Sequence, residues 1–527
     1  MKKLIAVLLA ACFAVSVPGT APAESVPETV LSFEQQEGIA SRMSWTVYTA
    51  SGPVEDYRRG PKELVEMPAG EDYTRLRLGV LTFRGNAFRR NASAGTVPTP
   101  SSLNVIWEAE TGFPEWTGQP VIIKWSAEVR ADSDLYEEKK NKPALKEVVV
   151  PCAEGSLFFC DLEDGQPTRG ILPLGAPAAG TACASPSGLP YLGTAVRSVA
   201  PAYRQYNLYT QEELAALPET SGAGPDRVLF GSPVIDRISD TLITAGDDGL
   251  LYLVSFNTYF SWQDAEYRIA PSVTAMKSIA AGEDESLTAV RSPVAVYNRY
   301  VFYADMAGIL RCVDTNTLSP VWMAENGDSV VSAVALDLQG DELALYAATV
   351  LNIRESGAAQ ARRFNALNGE ETWCLDIGVD RRGDGTYAGF AASPVIGTGG
   401  LDDLAFFTVT GLNEEGRGTL GLPGDTEAAV IALEKKTGAV RWARPFTDRC
   451  VSSPVGIYGE DGNGWIIQCT ESGTVVLLDG LTGEETASLS VDGQILASPA
   501  VYSNIMVICT ASGGTGKVCG IRIEPAD

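Results

Sequence analysis

Histidine is absent from this chain of 527 residues, and that absence removes more chemistry than any motif supplies. Without it there is no Ser-His-Asp or Cys-His nucleophile, no His-ligated zinc, no HExxH helix and no His-bound haem. The ten cysteines include no CxxC and no adjacent pair, so thioredoxin-like and zinc-ribbon readings fail as well. Basic residues are scarce. The 40 Lys and Arg against 66 Asp and Glu leave a net charge of −26, the wrong sign for a nucleic acid or an anionic membrane surface. Past the first two dozen residues there is no uninterrupted apolar run of about 18 residues, so no later membrane span is expected. Any catalysis would have to rest on carboxylates, Lys, Tyr, Cys or a borrowed cofactor.

What remains is 45% hydrophobic with 53 Gly and 30 Pro, which describes an ordered, turn-rich chain several times the usual domain length. Residues 1–23 read as a signal peptide. Lys2 and Lys3 precede an apolar stretch over 4–17, Pro18-Gly19 breaks it, and Ala21-Pro22-Ala23 offers a small-x-small cleavage site. A secreted or cell-envelope protein cleaved after Ala23 is expected, with a lipobox ending at Cys12 as the alternative. Nine cysteines then remain. Cys469 and Cys509 occupy equivalent places in Cys-Thr-x-Ser-Gly strings, where a small buried residue is wanted. Cys152 and Cys160 flank a hairpin turn at Glu154-Gly155. A two-residue loop there would set Cys152 opposite Leu157 and Cys160 opposite Val149, with the thiols on opposite faces.

One pattern recurs from about residue 100. A Ser-Pro-Val start runs into an apolar strand, then a Gly turn and second strand, a Thr-Gly turn, and a Trp-bearing strand. The starts are Gly118-Gln119-Pro120-Val121, Ala184-Ser185-Pro186, Ser232-Pro233-Val234, Ser292-Pro293-Val294, Ser332-Ala333-Val334, Ser393-Pro394-Val395, Ser453-Pro454-Val455 and Ser498-Pro499-Ala500. They lie 40–66 residues apart, a blade-sized period with insertions. Hairpins are predicted over 241–254, 301–313 and 465–478, each around a Gly-containing turn. Four short strands per unit, no helical period and no βαβ alternation point to an all-β, eight-bladed β-propeller, with seven blades as the alternative because the second unit is weak. The last unit ends without a Trp strand, while an isolated one stands upstream at Leu103 to Gly112. A ring whose last blade is closed by the strand around Trp107 satisfies both. The expected organisation is a signal peptide over 1–23, an N-terminal extension over 24–100 and the propeller over 101–527. In the extension, a short helix over 34–41 and strands over 43–49 and 74–82 are expected, forming an extra layer on one face.

These residues resemble the pyrroloquinoline-quinone-like (quinoprotein-type) propeller repeat family, most clearly over 226–527. Phe83-Arg84-Gly85-Asn86, with Gly95 and Trp107, resembles the lead-in such proteins carry before the ring. The resemblance implies that Trp107, Trp322, Trp373 and Trp442 dock neighbouring blades. In the quinone-dependent dehydrogenases of the family it would also imply a quinone between a Trp face and a Cys-Cys ring, with Ca²⁺ held by Glu, Asn and Asp. This chain has no Cys-Cys pair and no placeable Ca²⁺ set, so no cofactor, catalytic residue or metal ligand is expected. A second branch resembles the lipoprotein of the outer-membrane barrel-assembly machine, which binds partners through loops and catalyses nothing.

Asp/Gly runs at 246–249, 380–385 and 460–464 lack the spaced D-x-D-x-D-G pattern of a Ca²⁺ loop and read as turns. Insertions at 126–146, 196–228, 258–289 and 411–428 are candidate binding loops. Two of them carry Tyr203, Tyr206 and Tyr209, and Tyr259, Trp262 and Tyr267, as ligand-contact candidates for a sugar or peptide. The reading is an exported, monomeric, non-catalytic binding or scaffolding propeller with a protein or glycan partner at the cell envelope. The alternatives are a diverged quinone- and Ca²⁺-dependent oxidoreductase, in which pyrroloquinoline quinone would be the cofactor, and a glycan-binding protein.

Overall fold

A computed structural model describes residues 31–67, 79–111, 118–189, 191–196, 202–218, 232–261, 266–381, 383 and 385–526. The chain forms eight antiparallel blades around one axis, and a separate hairpin pairs Tyr259–Ser261 with Glu266–Arg268. The inner strands, in chain order, are Val121–Lys124, Ala178–Ala184, Val234–Asp236, Ala295–Tyr297, Ala335–Gln339, Val395–Ile396, Val455–Tyr458 and Ala500–Tyr502. Hairpins form at Thr241–Ala245/Leu250–Ser255, Tyr300–Ala304/Ile309–Asp314 and Gly464–Cys469/Thr474–Asp479, within a residue or two of the sequence boundaries. Both faces of these strands are buried between neighbouring blades, which explains their near-continuous apolar runs. The eighth blade takes its outer strand, Pro100–Glu110, from ahead of the ring, with Trp107 opposite Gly520.

Two devices join consecutive blades. The first is the outer-strand Trp. Trp107, Trp322, Trp373 and Trp442 donate their indole N–H to Leu162, Ala366, Lys435 and Gly480 carbonyls of the next blade, at 2.8, 2.9, 2.8 and 3.1 Å. Each ring lies on the glycine of the next blade's turn. A Cβ on Gly369, where φ is +78°, would sit 2.7 Å from the Trp322 ring. The second device is the Ser of the Ser-Pro-Val start, whose hydroxyl accepts the N–H at the matching position of the preceding blade. Ser393 accepts from Ala333, which takes the place expected for Ser332 in the fifth start, Ser453 from Ser393, and Ser498 from Ser453, at 2.9–3.1 Å.

The same contact corrects the second repeat. Gln119 N–H donates to Thr181 Oγ1 and Thr181 N–H to Ser232 Oγ, so Thr181 holds the serine position. Ser185-Pro186 instead follows the inner strand as its turn. The weak match at Ala184 arose because Thr181-Ala182 replaces Ser-Pro. The hairpin at 152–156 is also corrected. Cys152 faces Ser156 and Cys160 faces Val148, because the turn holds three residues with Gly155 at φ +103°. Both thiols therefore point into one apolar interface, and all nine described cysteines are free.

The N-terminal extension is not a simple layer. The described helix is only Ile39–Arg42. Met43–Thr49 and Gly52–Val54 extend the outer edge of blade 3 as its fifth and sixth strands. Gln36 caps the edge of blade 4, its amide bonding both the N–H and the C=O of Met323. The expected strand over 74–82 lies outside the described residues for 74–78, and Gly79–Val80 pairs with Ile122 and Ile123. Of the insertions, 126–146 folds into the helices Ala127–Asp132 and Glu137–Lys140, and 411–428 carries Glu414–Leu420. Their caps, Ser126 and Asn413, each accept an N–H from the first turn.

Candidate functional site

Residues 79–94 run along the axis and touch every blade in turn. Gly79 and Val80 pair with blade 1, and Leu81 accepts the Ala184 N–H of blade 2. Thr82 donates to the Pro233 carbonyl of blade 3 at 2.6 Å. Ala87 accepts Val296 N–H of blade 4, Phe88 accepts Leu336 N–H of blade 5 and Arg90 accepts Ile396 N–H of blade 6. The Asn91 amide pairs with both backbone groups of Gly456 in blade 7, Ala92 accepts Val501 N–H, and Ser93–Ala94 pairs in parallel with blade 8. Arg84 and Gly85 both have positive φ, and a Cβ on Gly85 would meet the Asn91 carbonyl at 2.5 Å, so this tight curl requires glycine there.

Two guanidiniums anchor the plug in the ring. Arg84 donates to the carbonyls of Pro454 and Pro394 at 2.6 and 2.7 Å, and Arg89 to those of Val294, Phe83 and Ser232. Burial pulls the Arg84 pKa down to about 9, which leaves it a cation at neutral pH. Carbonyl dipoles, rather than a carboxylate, hold it. The sequence lead-in at 83–86 is therefore an axial plug.

No group of three or more His, Cys, Asp or Glu is placed to hold a metal among the described residues. The four docking Trp residues lie between blades, bonded to the next blade's outer turn, and not on the axis. These four Trp residues are therefore engaged in blade docking. The turn aspartates are engaged locally. Asp248 accepts Leu250 N–H and the Tyr252 hydroxyl, and Asp461 accepts Asn463 N–H. Residues 382 and 384 of the 380–385 run lie outside the described residues.

The structure brings Tyr203 and Tyr267 into one buried apolar cluster and does not gather the aromatic candidates on an open surface. Tyr203 and Tyr206 are 2% exposed within the core, and Tyr209 is half-buried. Tyr267 stacks on Tyr191 with centroids 5.7 Å apart. Trp262 lies outside the described residues. Tyr259 is 60% exposed on its hairpin. The insertion expected to carry Tyr203 and Tyr206 on a loop instead places them on a strand, Ala202–Asn207.

An open groove lies elsewhere, where the extension crosses the turns of blade 4. Two adjoining clefts of about 520 and 330 Å³ share Glu66, Asn298 and Arg299. Asn298, at φ +53°, makes the turn between two strands, and its backbone N–H and C=O pair with Met67 of the extension. The Asn316 amide brackets Val65 in the same way, at 2.9 and 3.1 Å. Phe33 stacks on Tyr300 with centroids 3.6 Å apart, and the Arg299 guanidinium lies over the same Tyr300 ring at 5.3 Å. Arg299 also pairs with Asp314 at 3.0 Å. Burial lowers the Arg299 pKa but Asp314, Tyr300 and Glu66 outweigh it, so the net shift is upward. Burial raises the Asp314 pKa against Asn316 N–H and Arg299. Arg59 is lowered by burial and is spent inside, on Thr241, Ser255 and the Glu63 carbonyl. Arg58 is exposed and makes no hydrogen bond or ion pair among the described residues. Sequence reading missed this groove because its walls come from stretches more than 200 residues apart.

Comparison with known proteins agrees with this fold. The sequence model of the family described as outer membrane protein assembly factor BamB matches residues 426–525. No curated protein sequence matches. Among solved structures, a quinohemoprotein alcohol dehydrogenase from Pseudomonas putida HK5 is 8% identical, with a TM-score of 0.56 over 89% of this chain and 84% of that one. A europium-containing methanol dehydrogenase is 9% identical, with a TM-score of 0.55 over 85% and 99%. BamB from Moraxella catarrhalis is 13% identical, with a TM-score of 0.48 over 79% and 99%. Identities this low speak for the fold alone. The chain is thus an eight-bladed β-propeller whose residues 426–525 match the model of the family described as outer membrane protein assembly factor BamB.

Proposed function

We propose that the protein is a non-catalytic binding propeller that acts outside the cytoplasm and holds an acidic protein segment in the groove beneath blade 4. The observation that carries the reading is the axial plug: the chain's own residues 79–94 bond to all eight blades along the axis. The family whose model matches residues 426–525 is described as an assembly factor, which agrees with a partner-binding role. The groove supplies the place. It sets an exposed guanidinium, Arg58, beside a half-exposed one, Arg299, and a stacked aromatic floor, in a chain that is otherwise strongly acidic. A carboxylate there would gain a charge-assisted hydrogen bond, and an adjacent apolar side chain would rest on Phe33 and Tyr300.

Two titrations test this. Pyrroloquinoline quinone with Ca²⁺ should leave the melting temperature and the quinone absorbance of residues 24–527 unchanged, since a ligand of the native state must raise apparent stability. A Glu-rich peptide carrying one aromatic residue should bind, and Arg58→Glu should abolish that binding without altering the melting curve. Micromolar quinone binding would overturn the non-catalytic reading. Equal peptide binding by Arg58→Glu would overturn the groove alone.

A further inference from the structure

A second cluster of charges is sealed inside the molecule where blade 3 passes to blade 4. Glu283 stands in the connection that follows the strand Ser272–Ala280, and its side chain is fully buried. Its Oε2 accepts the Ala280 N–H and the Arg311 Nη2, both at 2.6 Å. Its Oε1 is buried and has no partner. Arg311, 1% exposed, also pairs through Nη1 with Asp305, in the turn between Tyr300–Ala304 and Ile309–Asp314. Asp305 is itself fully buried and accepts Ile309 N–H at 2.8 Å through its other oxygen. Two carboxyls therefore share one guanidinium out of reach of water. With both ionised the cluster carries a net negative charge in a medium that penalises it, and one oxygen has no donor to face.

Among the described residues, no second cation pairs with either carboxylate. Tyr303 lies under Arg311, 6.0 Å from guanidinium carbon to ring centre, and its hydroxyl is 3.2 Å from Ser278. Lys277 pairs with Glu285 at 3.9 Å, away from the cluster. From the side of blade 5, Asp328 packs its backbone on Gly308, but its carboxylate is taken by Arg354 and the N–H groups of 329 and 352–354. A proton is the simplest neutralising partner.

The cluster is tied to the connection's course. Met306 N–H bonds to the Ala289 carbonyl and Val290 N–H to Gly246, so the segment lies between the turns of two blades. At its end Arg291 pairs with Asp247 at 3.2 Å and reaches Tyr387, between blades 5 and 6, at 2.8 Å. Successive strands of a blade alternate in direction, so these turns and blade-to-blade connections share one rim of the ring, the rim opposite the groove.

We propose that Glu283, Asp305 and Arg311 form a proton-dependent latch that holds the connection 281–291 against the rim. With one proton shared by the two carboxyls, the cluster is neutral and the connection is closed. When that proton leaves, two carboxylates compete for Arg311, and the strain is relieved by lifting Glu283 and its segment into water. Asp305 supports the sign. Burial, the largest cause, pushes its pKa up to about 7 with Glu283 adding to the rise, and Arg311 opposes. A carboxyl whose folded pKa is raised above its unfolded value stabilises the closed form below the unfolded value. That contribution is lost as pH rises through about 7. The latch is therefore closed in mild acid and loosens on the alkaline side.

Hydrogen exchange of the 281–291 amides at pH 6 and pH 8.5, corrected for intrinsic rates, tests this on the full mature chain. Wild type should lose protection there by roughly tenfold or more, as linkage to a group titrating near neutrality requires, while the core strands of blades 6 and 7 keep theirs. Asp305→Asn, which carries the neutral state at every pH, should stay protected at both. Glu283→Gln leaves one carboxylate on Arg311 and should be equally flat, so it decides the matter if Asp305→Asn fails to fold. Wild-type protection that does not change with pH, or variants that change as wild type does, would overturn the latch. The outcome is independent of what occupies the groove.

Discussion

Blades 4 to 7 and blades 1 to 3 solve the same packing problem by different chemistry. In the first set the outer-strand Trp of blades 4, 5 and 6 lies on the next blade's glycine, and its N–H meets a carbonyl. The repeats there are regular, and the family model matches within this half and through blade 8. In the second set no described outer-strand Trp donates to a carbonyl of the next blade. Blade 1 is joined to blade 2 by Arg169, fully buried, which pairs with Glu147 at 2.9 Å and donates to the Leu208 carbonyl at 2.6 Å. Trp125 and Thr168 complete the Glu147 oxygens. Blades 3 and 4 are bridged by the Glu283–Arg311–Asp305 cluster and are strapped by the extension. An apolar joint recurs as a short motif that sequence comparison can see. A polar joint is assembled from residues far apart and leaves no repeated string.

The sharpest way to break that contrast is at the polar joint. Arg169→Leu leaves Glu147 buried without its counter-charge and should cost about 3–5 kcal/mol in denaturant unfolding, whereas replacing both residues with apolar ones should recover most of the loss. Recovery that does not occur would mean that the pair holds blade 2 in register rather than merely neutralising itself. Trp322→Ala should cost about 3–5 kcal/mol, from lost burial and the cavity left above Gly369. Gly369→Ala forces the same joint from the other side, against a positive φ and a 2.7 Å approach, and should cost about 1–3 kcal/mol. If the double mutant of Trp322 and Gly369 is additive, the two do not form a unit. Ser393→Ala strands the buried Ala333 N–H, and about 1–3 kcal/mol is expected. Tyr259→Ala, on the exposed hairpin, should change stability by less than about 0.5 kcal/mol; a larger loss would mean that the irregular half depends on its insertions.

The fold was readable where residues act through neighbours in sequence. The Gly turns at 249, 308 and 473 require positive φ, and the strands beside them alternate into two buried faces, so the hairpins and the eight-blade count follow from local pattern. The second blade was misplaced by a few residues because Thr181-Ala182 replaces Ser-Pro, while the hydrogen bond that defines the position is made by any hydroxyl there. The groove was not readable. Glu66, Asn298 and Arg299 each look like ordinary surface residues until the extension is laid across blade 4.

By itself, then, the sequence determined the repeat, the blade, and the exclusion of every histidine-dependent chemistry, because propensity, turn geometry and composition are local properties. Tertiary structure alone decided what the lead-in does. Nothing in Phe83-Arg84-Gly85-Asn86 tells whether its arginine faces solvent, a cofactor or the ring's own carbonyls. That choice exists only once eight inner strands converge and present their carbonyls to one axis, where a buried guanidinium needs acceptors and finds them at Pro394 and Pro454.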